Sequence, residues 1–171
     1  MAGSDHWNTP QWIVDLLVEF NGKRIELDPC SNARSCTNAE IQWFGPPGVN
    51  GLVMPWTING LVFVNPPYSD KAAWMQKCYG EQISCDGNMD VIALIPADTD
   101  TNHWHRYCVP AVRKCFLRGR VVHTGVKKKP LPARFPSVLI YWGGRDGIWD
   151  RWHRDRVDRF EKVFVPHGWV V

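Results

Sequence analysis

The stretch Asn65-Pro66-Pro67-Tyr68, which directly follows the apolar run 61–64, is the part of the chain best equipped for chemistry. Four consecutive apolar residues predict a buried strand, and two consecutive prolines cannot continue it. In open α/β sheets, ligands bind at the carboxyl ends of the strands. The Asn65 side-chain oxygen and the Pro66 carbonyl are two acceptors for one amino group, and the Tyr68 ring can stack on a planar base. Together these groups indicate methylation of an exocyclic amine.

The elements that must position this stretch alternate between apolar strands and amphipathic helices. Thr9-Pro10 predicts a helix start, and apolar residues then recur with helical spacing until Asn21-Gly22. Further strands are expected at 24–27, 39–44, 91–95, 115–117, 121–122 and 137–141, and further helices after Ser69-Asp70, at 101–107 and around 149–164. This alternation predicts an α/β fold of three layers with a mainly parallel sheet.

Length and composition favour one domain over residues 1–171, without a separate target-recognition domain. No apolar stretch approaches the roughly 20 residues that span a bilayer, so no membrane partner is expected. The six cysteines form no C-x-x-C pair, and no metal site is indicated. The net charge is +3, and basic residues concentrate between Arg113 and Arg159, which hints at a polyanionic partner. Nothing in the sequence indicates an oligomeric state.

Several motifs resemble the phage-type DNA N6-adenine methyltransferases, which are Dam-like. The motifs are Trp7-x-Thr9-Pro10, Leu27-Asp28-Pro29-Cys30, Asn65-Pro66-Pro67-Tyr68-Ser69, and the stretch from Phe116-x-x-Gly119-Arg120 to Phe135-Pro136-Ser137-Val138-Leu139. The resemblance covers about residues 6–142. It implies a class I methyltransferase (Rossmann-like) fold with an antiparallel strand near the C-terminus, S-adenosylmethionine as cofactor and DNA as partner. It also implies a phage or prophage origin and hence the bacterial cytoplasm.

The resemblance assigns roles to single residues. The catalytic set is Asn65, Pro66, Pro67 and Tyr68; the cofactor-binding set is Trp7, Thr9, Pro10, Asp28, Pro29, Cys30, Glu40 and Asn65. Adenine N6 is a poor nucleophile, because its lone pair is delocalised into the ring. If Asn65 Oδ1 and the Pro66 carbonyl each accept one N6 hydrogen, the lone pair localises and can attack a sulfonium methyl without a strong general base.

Two cofactor residues have a structural alternative, and a third has a competitor for its role. Thr9 can cap a helix, and Asp28 can cap a turn before Pro29. Glu40 is the only acid between Asp28 and Asp70, and it is the candidate for the cofactor ribose. Gln42 or a backbone carbonyl could serve instead.

The candidate DNA contacts are Arg118, Arg120, Lys127, Lys128, Lys129 and Arg134. Arg118 and Arg120 share one face if 116–122 is extended. The three lysines fall in a loop, where the alternative is a merely solvated turn. Asp98 and His103 are expected near the target pocket, with a capped helix start as the alternative.

Three functions are compatible with these residues. The first is methylation of a flipped adenine in DNA, with short or weak sequence specificity. The second is amino methylation of RNA adenine, cytosine N4 or protein glutamine. The third is a non-catalytic nucleic-acid-binding module. Intact Asn65, Pro66 and Asp28 speak against the third function, and the basic C-terminal half favours a nucleic acid over a protein substrate.

Overall fold

The computed structural model describes residues 7–85, 89–125, 131–143 and 151–171, and these residues form ten strands and three α-helices. The strands are β1 (Trp7–Asn8), β2 (Leu27–Asp28), β3 (Ile41–Gln42), β4 (Gly60–Val64), β5 (Met89–Pro96), β6 (Arg113–Leu117), β7 (Val122–Gly125), β8 (Leu131–Pro132), β9 (Ser137–Trp142) and β10 (Gly168–Val170). The helices are α1 (Gln11–Asn21), α2 (Lys71–Ser84) and α3 (Arg151–Phe164), with short helical turns at Tyr68–Asp70, Trp104–Cys108 and Val165–His167.

A seven-stranded mixed sheet organises the chain, in the order β10-β6-β9-β5-β4-β2-β3. The four strands β3, β2, β4 and β5 are parallel, with Leu27 opposite Val62 and Val62 opposite Val91. Strand β9 is antiparallel to both of its neighbours, β5 and β6, and β10 is antiparallel to β6. The expected antiparallel strand near the C-terminus is therefore present, and a second one lies at the sheet edge.

Apolar residues pack against both faces of this sheet. One buried cluster joins strand residues such as Phe63 and Ile92 to α1 and α3. The other joins the alternate strand residues, such as Val64 and Val91, to α2 and the Trp104–Cys108 turn. Because successive side chains of a strand point to opposite faces, the continuous apolar runs serve both clusters.

Helix α1 begins differently from the prediction. Pro10, in an extended conformation, is the N-cap residue, and its carbonyl accepts from the amide of Ile13. The hydroxyl of Thr9 does not cap the helix but contacts Asn65. The expected end is confirmed, because Gly22 is the C-cap in the left-handed conformation. Thr9 is thus free for the candidate site.

The described residues 118–125 and 131–136 depart from the main sheet. Their strands β7 and β8 pair with each other, and β7 also pairs with β1, which gives a separate three-stranded sheet. Val121 and Val122, expected as an ordinary strand, thus lead into this small sheet. His123 of β7 contacts the hydroxyl of Tyr68, so the small sheet lies beside the loop that follows β4.

A buried ion pair attaches α3 to the sheet. Arg156 Nε donates to Asp90 Oδ2 at 2.6 Å, and the Tyr141 hydroxyl donates to Asp90 Oδ1 at 2.6 Å. The same guanidinium donates to the Phe20 carbonyl and lies 4.0 Å from the centroid of the Phe20 ring. Arg156 therefore has a structural role, and its charge is not available to a polyanion.

The six cysteines form no disulfide with one another. No helix in the described part of the chain is long and apolar enough to cross a membrane.

Candidate active site

The carboxyl ends of the parallel strands bring the sequence motifs together. The loops that follow β2, β4 and β5 leave the sheet at the same edge, because these strands are parallel. The thiol of Cys30 donates to the backbone carbonyl of Asn65 at 3.7 Å, which joins the first two of these loops. Two motifs that lie 35 residues apart in the sequence are therefore in direct contact.

Asn65 has its side-chain orientation fixed by β1 and the residue after it. Its amide nitrogen Nδ2 donates to the Trp7 carbonyl at 2.8 Å and to the Thr9 hydroxyl at 3.1 Å. A carbonyl can only accept, so the nitrogen, and not Oδ1, must face Trp7. No residue in the described ranges donates to Oδ1, which leaves that oxygen available as an acceptor.

The rest of the motif forms a rigid turn. Pro66 is buried, Pro67 is half-buried, and the amide of Asp70 donates to the Pro67 carbonyl to start the helical turn Tyr68–Asp70. The half-buried Tyr68 hydroxyl lies 3.2 Å from Nε2 of His123. Burial, together with the Asp98 carboxylate, raises the pKa of Tyr68 to about 12, so the phenol is a protonated donor.

His123 is buried beside the motif, with its Nδ1 3.2 Å from the carbonyl of Asn8. Because that carbonyl only accepts, Nδ1 carries the proton and Nε2 accepts from Tyr68. Burial lowers the pKa of His123, which favours this neutral form. The ring centroid of Trp7 lies 5.9 Å from that of His123, and the ring centroid of Tyr68 lies 6.5 Å from it.

The carboxylate of Asp28 organises the loop that follows β2. It accepts from the amide of Cys30, which makes a local turn, and from the hydroxyls of Ser35 and Thr37. Burial raises the pKa of Asp28, and these hydrogen bonds oppose that shift. The turn-capping alternative therefore applies to Asp28, and a direct contact with a cofactor ammonium would come in addition to it.

The structure also places the other four cofactor candidates, which are Pro29, Cys30, Pro10 and Trp7. Pro29 is buried, and a side chain at Gly51 would collide with the Pro29 carbonyl, so only glycine allows the two segments to approach so closely. Burial raises the pKa of the Cys30 thiol, which remains neutral. The Pro10 carbonyl serves helix α1. The Trp7 carbonyl is used by Asn65.

Glu40 does not reach this site. It precedes β3, at the opposite edge of the sheet from Asn65, and it is exposed in an ion pair with Arg24 at 3.6 Å. The alternative Gln42 ends β3 and accepts from the Ser31 hydroxyl at 2.9 Å, in the loop that carries Asp28. Glu40, the residue expected to bind the cofactor ribose, therefore lies away from the motif loops, and its alternative Gln42 is the better placed of the two.

A polar cluster follows β5 at the same edge. Lys71, at the start of α2, forms an ion pair with Asp98, and both side chains are half-buried. Thr101 donates to the Asp98 carbonyl, and its hydroxyl lies 3.3 Å from Nε2 of His103. Burial and Lys71 lower the pKa of His103, so a neutral imidazole is favoured there. Asp98 also acts on Tyr68, which links this cluster to the motif.

Exposed basic residues lie along the same edge. Arg118 and Arg120 follow β6, which is parallel to β5, and Arg134 follows β8; all three are exposed. Strand β6 is three positions from β4 in the sheet order, a distance of roughly 14 Å. Lys127, Lys128 and Lys129 lie outside the described residues.

Sequence reasoning missed His123 and Asn8. Asn8 Nδ2 donates to the Arg34 carbonyl, and Asn32 donates to Asn8 Oδ1, so Asn8 connects the loop after β2 with His123. A lone His in a short polar strand carries no local signal. The contact of His123 with Asn8 spans 115 residues, and only the three-stranded sheet makes it visible.

The fold and site define an α/β protein in which the turn from Asn65 to Tyr68 contacts the polar loop that follows β2. The chain belongs to the DNA N-6-adenine-methyltransferase (Dam) family, whose model matches residues 1–144. The family resemblance read from the motifs is thus confirmed, and it points to DNA adenine methylation as the activity. A comparison with curated proteins found no match.

Proposed function

We propose that this protein transfers a methyl group from S-adenosylmethionine to N6 of an adenine in DNA. The observation that carries the proposal is the orientation of the Asn65 amide, whose two bonds to Trp7 and Thr9 leave Oδ1 as a free acceptor. The family match supports adenine in DNA as the substrate. The helices on both faces of the sheet support a three-layer, class I methyltransferase architecture in a single domain.

The residues of the chain act mainly on the amine. Asn65 Oδ1 and the Pro66 carbonyl each accept one N6 hydrogen, which localises the nitrogen lone pair. The prolines make the turn rigid, so both acceptors are in place before the substrate arrives, and pre-positioning can contribute roughly 7–11 kcal/mol. Tyr68 stacks on the target base, a contact worth about 1–3 kcal/mol. No strong base is required, because the amine loses its proton during or after transfer.

The loops after β2 and β4 fit a cofactor next to the amine. When bound, S-adenosylmethionine supplies an electrophilic methyl group on sulfur. The contact between Cys30 and Asn65 makes the two loops neighbours, as donor and acceptor must be. Asp28 accepts hydrogen bonds that hold the loop after β2 in shape. Gln42 is joined to the same loop by the hydrogen bond that it accepts from Ser31. Pro29 and the Trp7–Thr9 segment complete the set proposed to hold the cofactor.

The acceptor base has to leave the duplex to reach Asn65, since its amine is otherwise paired, and such flipping costs a few kcal/mol. Arg118, Arg120 and Arg134 are proposed to hold the DNA backbone together with the lysines at 127–129. At roughly 14 Å from β4, an arginine after β6 reaches phosphates about four base steps from the target. We also propose that the sequence specificity is short or weak.

Nucleoside mass spectrometry tests the proposal. The protein is incubated with isotopically labelled S-adenosylmethionine and either adenine-containing duplex DNA, single-stranded DNA or RNA, and N6-methyladenosine, N4-methylcytosine and their deoxy forms are quantified. Label in N6-methyldeoxyadenosine is the expected result. Label in RNA or in cytosine would support the second candidate activity instead. Absence of label from every acceptor, with intact folding, would contradict the enzymatic proposal.

The basic residues are expected to set the salt dependence of DNA binding. Each phosphate contact that is removed should lower the slope of log affinity against log salt by about 0.9 for duplex DNA. Replacement of Lys127, Lys128 and Lys129 by Ala should therefore flatten the slope and weaken binding to all sequences alike, as measured by fluorescence anisotropy across a salt series.

Arg118→Ala is the matched single change at an exposed position that the structure describes. It removes one proposed phosphate contact and should therefore lower the slope by about 0.9. A triple lysine variant with unchanged affinity and slope would reduce the loop to a solvated turn. A change in which sites are methylated would mean that the loop contacts bases.

Asp28 is expected to support cofactor binding through the shape of its loop. Asp28→Ala removes the acceptor for Cys30, Ser35 and Thr37, and should weaken S-adenosylmethionine binding by about 1–3 kcal/mol in calorimetry. Asp28→Asn keeps the shape without the charge. If the Asn variant retains most of the affinity, Asp28 acts as an organiser; if it loses as much as Ala, the charge itself contacts the cofactor. Unchanged affinity in a folded Ala variant would remove Asp28 from the site.

A further inference from the structure

We propose that His123 is a positioning residue for methyl transfer, which holds the ring of Tyr68 against the target base through a hydrogen bond from the phenol to Nε2. This inference rests on the proposed function for its effect on rate. The contact itself rests on geometry: the Tyr68 hydroxyl lies 3.2 Å from Nε2, and Nδ1 lies 3.2 Å from the Asn8 carbonyl.

The two hydrogen bonds of His123 specify one form of the ring. Nδ1 must carry a proton to reach a carbonyl, and Nε2 must be bare to accept from a protonated phenol. The ring is buried, so it cannot turn to solvent for a different partner. Strand β1 thus holds His123 in place, and His123 in turn holds the ring of Tyr68 in place.

Strand β1 and the residue after it also orient Asn65, the other side chain of the motif with a proposed role. The Trp7 carbonyl and the Thr9 hydroxyl orient Asn65, while the carbonyl of Asn8 orients His123. Alternate carbonyls of a strand point in opposite directions, so one strand can serve two side chains on either side. Asn8 is also bonded to Asn32 in the loop after β2, which connects the cofactor side with the acceptor side.

Protonation of His123 would turn Nε2 into a second donor, so the Tyr68 hydroxyl would have to turn and accept, and its own proton would lose its acceptor. The groups that face the ring in the described structure are the rings of Tyr68 and Trp7 and the Asn8 carbonyl, which carry no charge. Asp98, paired with Lys71, acts on the Tyr68 side. Because the pKa of His123 is lowered by burial, the loss of rate caused by its protonation should lie on the acid side of pH 6.5.

Single-turnover methylation of duplex DNA tests the role in four proteins. His123→Phe keeps an aromatic ring beside Trp7 but removes both polar atoms, and it should lower the rate about tenfold while cofactor affinity is kept. His123→Gln presents an N–H donor and a carbonyl acceptor without a titrating group, so it should restore most of the rate and abolish the acid loss. Tyr68→Phe with His123→Phe should be no slower than Tyr68→Phe alone.

Nitrogen-15 spectra of the imidazole give a readout that does not depend on activity. At pH 8 a protonated Nδ1 and a bare Nε2 are expected, with Nε2 shifted in Tyr68→Phe. An Nε2–H tautomer, a Gln variant as slow as the Phe variant, or a double variant with multiplied losses would each overturn the inference. If wild-type protein transfers no methyl group to DNA, the proposed function fails, while the spectra still decide whether His123 holds Tyr68.

Discussion

Asn65→Ala is expected to abolish methyl transfer while leaving the affinity for S-adenosylmethionine nearly unchanged. The side-chain oxygen acts on the acceptor amine, and its loss removes one of two groups that localise the nitrogen lone pair. Preorganised polar groups of this kind contribute about 10²–10³ in rate. Single-turnover transfer of a labelled methyl group should show the loss, and calorimetry should show the retained affinity. A variant rate above about a tenth of the wild-type rate would contradict the role of Asn65. Such a variant would have lost less than about 1.4 kcal/mol of transition-state stabilisation.

A second consequence of Asn65→Ala has to be separated from the first. The amide nitrogen also ties the motif to Trp7 and Thr9, so its loss loosens β1. Thr9→Val removes one of these two bonds but keeps Oδ1 of Asn65, and it should cost far less rate. If Thr9→Val is as slow as Asn65→Ala in a protein with unchanged melting temperature, the contribution of Asn65 is its attachment to β1 and not its oxygen.

The strands and their ends were predictable because local rules decide them. An apolar run that meets two prolines must end at Asn65, and the structure ends β4 at Val64. The same logic identified the strands at 91–95 and 137–141, which are β5 and β9, and the helix that ends at Gly22. The predicted strand ends therefore put the loops that carry the motifs at the carboxyl ends of the parallel strands, where the structure also has them. The sequence signal for the fold was strong where burial on both faces demanded it.

The errors arose where distant partners override local preference. Thr9 is a good helix cap in isolation, but its hydroxyl is used by Asn65, which lies 56 residues away. Glu40 is the only acid in its region of the sequence, but it precedes β3 and so lies at the amino end of that strand. His123 could not be found, because its two contacts span 55 and 115 residues. Charge alone does not identify a DNA contact, since the guanidinium of Arg156 is held in an ion pair with the buried Asp90.

Arg156→Met is expected to destabilise the folded state by about 3–5 kcal/mol, because it leaves the carboxylate of Asp90 buried without its cation. The Asp90 side chain is fully buried and the Arg156 side chain is 11% exposed, so solvent cannot replace the lost partner. Methionine keeps the apolar stem of the side chain over Phe20, which limits the loss to the charge and its hydrogen bonds. Urea unfolding with an unchanged slope measures the effect. Arg151→Met, exposed on the same helix, should change little.

The pH dependence distinguishes this loss from ordinary repacking. Burial raises the pKa of Asp90, and Arg156 opposes that shift, so in Arg156→Met the folded-state pKa must rise further. A carboxyl group with a raised folded-state pKa costs its full amount of stability above that pKa; the cost falls once the folded protein takes up the proton and is gone below the unfolded-state pKa. The deficit of Arg156→Met relative to wild type should therefore shrink as the pH falls from 7 towards 4. A deficit that is independent of pH would mean that packing, and not the charge, is lost.

The double variant Asp90→Asn/Arg156→Met completes the test, because it removes both charges and should recover part of the lost stability.

The result also bears on the active site. Helix α3 and strand β10 lie beyond residues 1–144, which the family model matches, yet Arg156 ties α3 to α1 and β5, and β10 pairs with β6. Helix α1 starts at Gln11, two residues after Thr9, and Arg118 follows β6. If the ion pair is as strong as expected, partial unfolding of α3 in Arg156→Met should lower methyl transfer at temperatures where wild-type protein is fully active, although no residue of α3 lies at the site.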